Sequence, residues 1–163
     1  TAPYAVNMGL ARMRGERLIA DMDICRKFKP EFVITAVGNP APVVDDIHEW
    51  GGLILHDVTT IKHAQKAIEA GVDGLVLVCA GAGGHGGPVS PLALVEQVRS
   101  FFDGIIVVAG GISTGRAVRA VAAAVRDAVA DREERERLRH RRRGGAPEDE
   151  RGQQPRQHAR WAA

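Results

Sequence analysis

A chain of 163 residues with 45% hydrophobic and 26% charged residues and a formal net charge of +2 has the composition of one globular domain. No apolar stretch approaches the roughly 20 residues that cross a bilayer, and the first residues lack the order of a secretory signal, so we expect a cytoplasmic protein. Cys25 and Cys79 stand far apart without a CxxC pattern, which argues against a disulfide framework or a zinc site. We expect two buried thiols.

Five short apolar runs rich in Val, Ile and Leu recur in the first 124 residues, each bounded by Gly or Pro. They predict buried parallel strands at residues 4–8, 32–37, 53–58, 75–79 and 105–109. Amphipathic stretches of helical length follow these runs at residues 12–28, 43–50, 61–70, 91–102 and 115–124. One strand, one helix and two short loops fill each interval between successive strands. The pattern therefore predicts five repeated βα units.

Repeated βα units fit two folds, an open doubly wound sheet and a closed (β/α)₈ barrel. A doubly wound sheet favours a GxGxxG turn after the first strand and an acidic residue about 20 positions later, and neither follows residues 4–8. The barrel fits better, although a complete one needs about 250 residues and eight strands. We therefore predict an α/β fold of the TIM-barrel type, incomplete, within residues 1–124. A smaller open sheet of five units stays as the alternative.

The tail, residues 125–163, has a different composition. It holds 11 of the 22 basic residues, all of them arginine, against 8 acidic residues, and has almost no large aliphatic residue beyond Leu138. This composition predicts an Arg-rich tail that is disordered or helical, with a helix over about 127–143. No aromatic residue lies among the arginines to stack on bases, so nucleic-acid binding is the less favoured interpretation. An out-of-frame coding segment after Ala124 would also produce this change, and reading the other two frames for an apolar strand tests that hypothesis.

The segment AGAGGHGGPVS, residues 80–90, surrounds His85 with five glycines directly after the fourth predicted strand. The carboxyl ends of parallel strands are where α/β proteins build their active sites. Glycines let a flat ring or a phosphate approach the backbone, and a histidine there can accept a proton near neutral pH. From the residues alone, a flexible surface turn that contains a histidine stays an alternative.

A second glycine segment, in IIVVAGGISTGRAV, also comes directly after a predicted strand, the fifth. Gly110 and Gly111 form a turn after the strand, and Ser113 or Thr114 can cap a helix that begins near Gly115. A helix N-terminus beside such a turn binds phosphate well, because unpaired N–H groups and the positive end of the helix dipole meet there. A Gly-Gly turn is also common without any ligand.

These two segments, with YAVNMG at residues 4–9 and HDVTT at residues 56–60, resemble the nitronate monooxygenase family, also called 2-nitropropane dioxygenases, over about residues 3–124. The resemblance implies an FMN-dependent (β/α)₈ barrel that oxidises alkyl nitronates with dioxygen to a carbonyl compound and nitrite. It implies that His85 abstracts a proton. The cofactor-binding residues that it implies are Asn7, Gly83 and Gly84 at the flavin ring and Gly110 and Gly111 at the phosphate.

The chain departs from the family pattern at two places. Many members carry a glutamine near the end of the strand before the histidine loop, where this chain has VLVC at residues 76–79. The first two strands and the eighth, which brings a Gly-Thr phosphate contact, have no counterpart. Two alternatives therefore stay open: an oxidoreductase similar to the FMN-dependent enoyl-acyl-carrier-protein reductases, and an inactive truncated barrel.

The partners that we expect are a small nitronate or nitroalkane and dioxygen, without a membrane or nucleic acid. A five-strand section leaves its terminal strands unpaired and its core open at one side, which predicts that the chain self-associates or forms a loosely packed state.

Overall fold

The computed structural model of the chain describes residues 3–11 and 15–126. Strands and helices alternate through these residues: β1 Ala5–Gly9, α1 Glu16–Phe28, β2 Phe32–Ala36, α2 Ala41–Glu49, β3 Leu53–Val58, α3 Ile61–Glu69, β4 Gly74–Val78, α4 Pro91–Arg99 and β5 Ile105–Ala109. A last helix, α5, begins at residue 115 and is described to residue 126. Residues 12–14, where the first predicted helix begins, and residues 127–163, nearly all of the predicted tail, lie outside the described ranges.

The five strands form one sheet in the order β1-β2-β3-β4-β5, and every neighbouring pair is parallel. A doubly wound sheet reverses its strand order part-way, and this sheet does not. Right-handed crossovers in one unreversed order place successive helices on the same face of the sheet, as in a barrel. The sheet order therefore excludes the doubly wound alternative.

The side of the sheet that faces the helices forms the hydrophobic core. Strand residues Val33, Ile54 and Leu75 are fully buried there, in one cluster with Ile47 of α2 and Leu94 of α4. Burying such side chains contributes about 1.5–3 kcal/mol each and supplies most of the stability of the sheet.

Both cysteines belong to the same cluster as buried free thiols, so that prediction is confirmed. Burial raises the pKa of Cys25 and of Cys79, which keeps both thiols protonated at neutral pH.

We call the opposite side of the sheet the inner face, because it would line the interior of a closed barrel. Its strand positions follow from the alternation of side chains and the strand register: Ala5, Asn7, Gly9, Phe32, Ile34, Ala36, Leu53, Leu55, Asp57, Gly74, Val76, Val78, Ile105, Val107 and Ala109. Leu55 and Val76 at its centre are buried but lie outside the helix-facing cluster. Ile105 and Val107 near one edge are 39% and 43% exposed. The inner face is apolar and, among the described residues, largely open.

Most predicted boundaries agree with the structure within two or three residues, and the differences have local causes. The strand predicted at residues 75–79 is β4, Gly74–Val78, because the chain turns back just after Val78. The first predicted helix begins at Glu16 rather than at residue 12, after Gly15 with its positive φ of 58°. Among the described residues no helix is long and apolar enough to span a membrane.

Candidate active site

The histidine loop, residues 80–90, folds back onto the carboxyl end of β4. The amide of Gly87 donates to the carbonyl oxygen of Val78 over 2.9 Å, and the amide of Ala80 donates to Val89 over 2.8 Å. His85 is exposed on the part of the loop between these two bonds. The structure therefore presents an imidazole to solvent at the carboxyl edge of the sheet, where the sequence predicts it.

Four of the five glycines around His85 are required by the fold of the loop itself. Gly81 and Gly84 have φ values of +88° and +69°, which side-chain-bearing residues rarely adopt. A Cβ atom on Gly86 would lie 2.9 Å from the carbonyl oxygen of Ala82, and one on Gly87 would lie 2.8 Å from that of Thr59.

Gly83 is different from the other four glycines. Its φ lies outside the left-handed range, and a Cβ atom there would meet no described atom within 4 Å. The fold of the loop therefore gives no internal reason for a glycine at this position, and the space beside it is open.

The histidine loop and the paired-glycine turn are in direct contact. The amide of Gly111 donates to the carbonyl oxygen of Gly81 over 3.2 Å. A Cβ atom on Gly110 would lie 2.7 Å from the carbonyl oxygen of Ala80, so this close approach of two backbones requires a glycine. Two segments that the sequence predicts separately are thus parts of one site.

Helix α5 begins directly after the paired-glycine turn. Gly110 and Gly111 have φ values of +141° and +65°, and the hydroxyl oxygen of Thr114 accepts a bond from the amide of Ala117 over 3.2 Å. Thr114, one of the two predicted caps, therefore caps the helix. The N–H groups of the first turn before Ala117 have no acceptor within the helix, so they can bind an anion at this edge.

Asn7 lies away from these two loops. It is exposed on the inner face in the middle of β1, level with Ile34 of β2. Three strand spacings separate β1 from β4, which is about 14 Å along the sheet. Asn7 also borders a cavity of about 470 Å³ beside β1, whose wall includes Ile24 and Phe28 of α1. The structure therefore does not bring Asn7 into contact with His85.

Asp57 is a candidate site residue that the sequence analysis missed. It lies on the inner face of β3, opposite Val76, and is half-buried. Burial raises the pKa of its carboxyl group. The available signal was a charged residue beside a histidine in the predicted strand LILHDV, but the sequence does not show which face of that strand is open.

His56, the neighbour of Asp57, belongs to the core instead. Its Nδ1 lies 2.8 Å from the hydroxyl oxygen of Thr35, which itself donates to the carbonyl of Leu55 over 3.2 Å. Since that hydroxyl has one proton, Nδ1 of the neutral ring is the donor to Thr35. Burial, with a smaller effect of nearby His63, lowers the pKa of His56. This histidine is a satisfied structural residue.

The comparison with protein families shows to which family the chain belongs. A model of the nitronate monooxygenase family matches residues 4–130, which include the histidine loop, the paired-glycine turn and Asn7. The chain belongs to this family. The resemblance drawn from the sequence is therefore confirmed.

Known relatives extend well beyond this chain. A nitronate monooxygenase of Neurospora crassa is 34% identical over 95 residues, which cover 51% of this chain and 24% of the relative. A mutant form of FabK from Thermotoga maritima has a TM-score of 0.68 at 27% identity and covers 75% of this chain and 40% of its own. Nitroalkane oxidase from Streptomyces ansochromogenes has a TM-score of 0.60 at 26% identity, over 66% of this chain and 35% of its own.

These likenesses identify the fold of the described residues as an incomplete (β/α)₈ barrel of five βα units. The chain spans between about a fifth and two fifths of the length of the relatives it matches. The family is one of flavin-dependent oxidoreductases.

Proposed function

We propose that this chain forms one section of an FMN-dependent enzyme that oxidises alkyl nitronates, or their parent nitroalkanes, with dioxygen. This section carries the catalytic histidine and binds the phosphate group of FMN. The products are a carbonyl compound and nitrite. The family match and the activities for which the Neurospora and Streptomyces proteins are named support this reaction class. The observation that carries the proposal is the bond between Gly111 and Gly81, because it puts an exposed histidine and a helix N-terminus in one site.

The residues of this site fit FMN. The open space at Gly83 and Gly84 admits a flat ring against the loop backbone without a Cβ atom in the way. Gly110, Gly111 and the capped N-terminus of α5 hold the phosphate group. Asn7 supplies an amide on the inner face for the polar edge of the ring.

Bound FMN supplies the electron transfer to dioxygen that no side chain of the chain can perform. The chain contributes position and proton transfer. An imidazole nitrogen of His85 removes the α-proton of a neutral nitroalkane, and exposure of the ring lets that proton pass to solvent. A preformed nitronate has already lost the proton, so toward that substrate His85 acts only as a hydrogen-bond donor.

Replacing the imidazole tests this assignment. His85→Asn should keep the spectrum of bound flavin, because glycine backbone and Asn7 hold the cofactor. Turnover of neutral nitroethane should fall by roughly 10²–10⁴, the usual contribution of a positioned general base, while the preformed nitronate should lose much less. The measurement is kcat/KM for each substrate at matched flavin content.

His48→Asn is the matched control, since His48 is also partly exposed but lies at the end of α2, at the opposite edge of the sheet. It should leave the ratio of the two kcat/KM values unchanged. Equal losses toward both substrates in His85→Asn, with flavin still bound, would show that His85 binds substrate and does not abstract the proton.

The second candidate is the reductase alternative, and the likeness to FabK favours it. Such an enzyme takes electrons from a reduced nicotinamide. Anaerobic NADH should bleach the flavin of a reductase within seconds and leave that of a nitronate monooxygenase oxidised, so flavin absorbance separates the two.

A further inference from the structure

Val37, the residue that follows β2, has a backbone conformation that its own side chain disfavours. Only two side-chain-bearing residues in the described ranges have a positive φ, Lys29 at 48° and Val37 at 49°. Lys29 caps the carboxyl end of α1, where one left-handed residue is common. Val37 follows a strand, and a β-branched residue in this region is a rare outlier that costs free energy.

The same conformation keeps Val37 out of the hydrophobic core. Val33 and Thr35 of β2 are fully buried on the helix-facing side, and the alternation of the strand would place Val37 on that side as well. The left-handed turn interrupts the alternation, and the Val37 side chain is 55% exposed. The chain thus loses both a relaxed backbone and the burial of an apolar side chain.

Backbone bonds to the loop after β1 hold Val37 in place. Its carbonyl oxygen accepts the amide of Ala11 over 2.6 Å, and the carbonyl oxygen of Ala36 accepts that of Leu10 over 2.9 Å. β2 is hydrogen-bonded to β1 on one side and to β3 on the other, so Val37 does not lie on an unpaired strand of the sheet. Backbone strain that the surrounding structure maintains in this way is typical of ligand-binding sites.

The position of Val37 places it beyond the proposed flavin contact at Asn7. Asn7 is level with Ile34, and Val37 is three residues further along β2, about 10 Å toward the carboxyl edge of the sheet. The histidine loop extends beyond the same edge from β4, two strand spacings or about 10 Å from β2. A small molecule at His85 can therefore extend toward Val37.

We infer that Val37 is a specificity-determining residue whose side chain contacts the alkyl group of the substrate while His85 acts at its α-carbon. This inference rests on the proposed function and sharpens its substrate class to nitronates and nitroalkanes with a chain of several carbons. The isopropyl group of valine forms no hydrogen bond, so burial against another apolar group is the interaction that it offers a ligand.

Val37→Gly tests the inference, because it removes the side chain and permits the left-handed backbone. With bound FMN, kcat/KM for preformed butylnitronate should fall about tenfold relative to that for ethylnitronate, the smaller end of the discrimination that one methylene provides in an apolar pocket. Val37→Ile, which keeps a β-branched apolar side chain, should retain the preference for butylnitronate. Lys29→Gly changes the other positive-φ residue, at the amino end of β2, and should leave the ratio unchanged.

The stability of the flavin-free chain supplies a readout besides activity. Relief of the strain in Val37→Gly should raise the midpoint of thermal unfolding by about 2–4 °C, whereas removal of a side chain that stabilises the fold would lower it. A more stable chain with poorer discrimination would show that the side chain serves the ligand.

Binding of carboxylates tests the same contact without turnover. Butyrate and acetate share a planar anionic head and differ in the length of the alkyl chain. In a titration followed by flavin absorbance, the dissociation constant of butyrate should rise about tenfold in Val37→Gly, and that of acetate should not change.

Each other outcome has a definite meaning. An unchanged substrate ratio and butyrate affinity in Val37→Gly, with FMN bound and both nitronates oxidised, would overturn this inference alone. A lower unfolding midpoint, weaker FMN binding with an unchanged ratio, or an equal change of the ratio in Lys29→Gly would also overturn it. Failure of the native chain to bind FMN or to oxidise either nitronate would overturn the proposed function and this inference together.

Discussion

His56 and Asp57 are neighbours in sequence and lie on opposite faces of the same strand. His56 is buried in the helix-facing core and bonded to Thr35, whereas Asp57 is on the inner face without a partner among the described residues. Burial shifts both groups toward their neutral forms, since it lowers the pKa of His56 and raises that of Asp57. A desolvated group with a partner contributes to the fold, and one without a partner is available to a ligand.

The largest expected effect comes from the difference in packing between the helix-facing side and the inner face of the sheet. Ile54 is fully buried against the helices, so Ile54→Ala should lower the free energy of unfolding by about 3–4 kcal/mol. Val107 is 43% exposed on the inner face, and Val107→Ala should cost less than about 1 kcal/mol. Urea unfolding of both variants measures the difference. Similar costs would mean that the inner face is covered in solution, as self-association would do.

The glycines of the histidine loop provide a second contrast of the same kind. Gly87→Ala should destabilise the chain by about 2 kcal/mol, because its Cβ would lie 2.8 Å from a carbonyl oxygen. Gly83→Val should leave the stability of the flavin-free chain within about 0.5 kcal/mol, because no described atom occupies that space.

Flavin affinity completes the glycine test. Gly83→Val should weaken FMN binding at least about tenfold, since it fills the space that the ring would occupy. Fluorescence titration with FMN measures this. Unaltered FMN affinity in a stable Gly83→Val chain would contradict the assignment of Gly83 to the cofactor site.

Two threonine–histidine pairs offer a smaller and closely matched contrast. Thr35→Val leaves Nδ1 of buried His56 without an acceptor and should cost about 2 kcal/mol. Thr59 makes the same kind of contact with Nδ1 of exposed His63 over 3.1 Å, and Thr59→Val should cost no more than about 0.5 kcal/mol because water replaces the lost partner. Thermal unfolding of the two variants at one pH gives the comparison. Equal costs would show that burial of His56 does not matter.

The smallest effects are opposite dependences of stability on pH. His56 has a lowered pKa when folded, so below about pH 6.5 the unfolded chain binds more protons and stability falls as pH falls. Asp57 has a raised pKa when folded, so its penalty exists at neutral pH and disappears as pH falls through that pKa.

The difference in the free energy of unfolding between each variant and the native chain, measured as a function of pH, separates these two contributions. Asp57→Asn should be more stable than the native chain at neutral pH, with an advantage that shrinks toward acid pH. His56→Gln should lose the native decline between about pH 7 and pH 5. An Asp57→Asn advantage that grows toward acid would reverse the sign assigned to Asp57.

Local patterns were sufficient to predict the elements of this fold. The strands after β1 are short segments rich in Val, Ile or Leu, as in Ile105–Ala109, with Gly or Pro nearby in the sequence. The choice between barrel and doubly wound sheet was harder, because both consist of the same βα unit. Strand order separates them, and strand order is a property of long-range pairing that no window of sequence contains.

The two loops of the site could be predicted from the sequence, but the contact between them could not. The histidine loop and the paired-glycine turn each follow a strand, so their edge was predictable from the sequence. Their contact depends on the register of β4 against β5, which brings Gly81 to Gly111. Asp57 was missed because successive residues of a strand point to opposite faces, and the segment LILHDV does not reveal which face is open.

The bond from the Gly111 amide to Gly81 makes one proton a reporter for the whole site. That amide exchanges with deuterium only when the histidine loop separates from the turn, so its protection factor measures the free energy of local opening. A cofactor that contacts both segments stabilises the state in which the loop and the turn are bonded. It would slow the exchange by the factor by which it shifts the equilibrium toward that state, whichever segment it contacts more strongly. Amide exchange at Gly111 therefore measures ligand occupancy without a measurement of catalytic turnover.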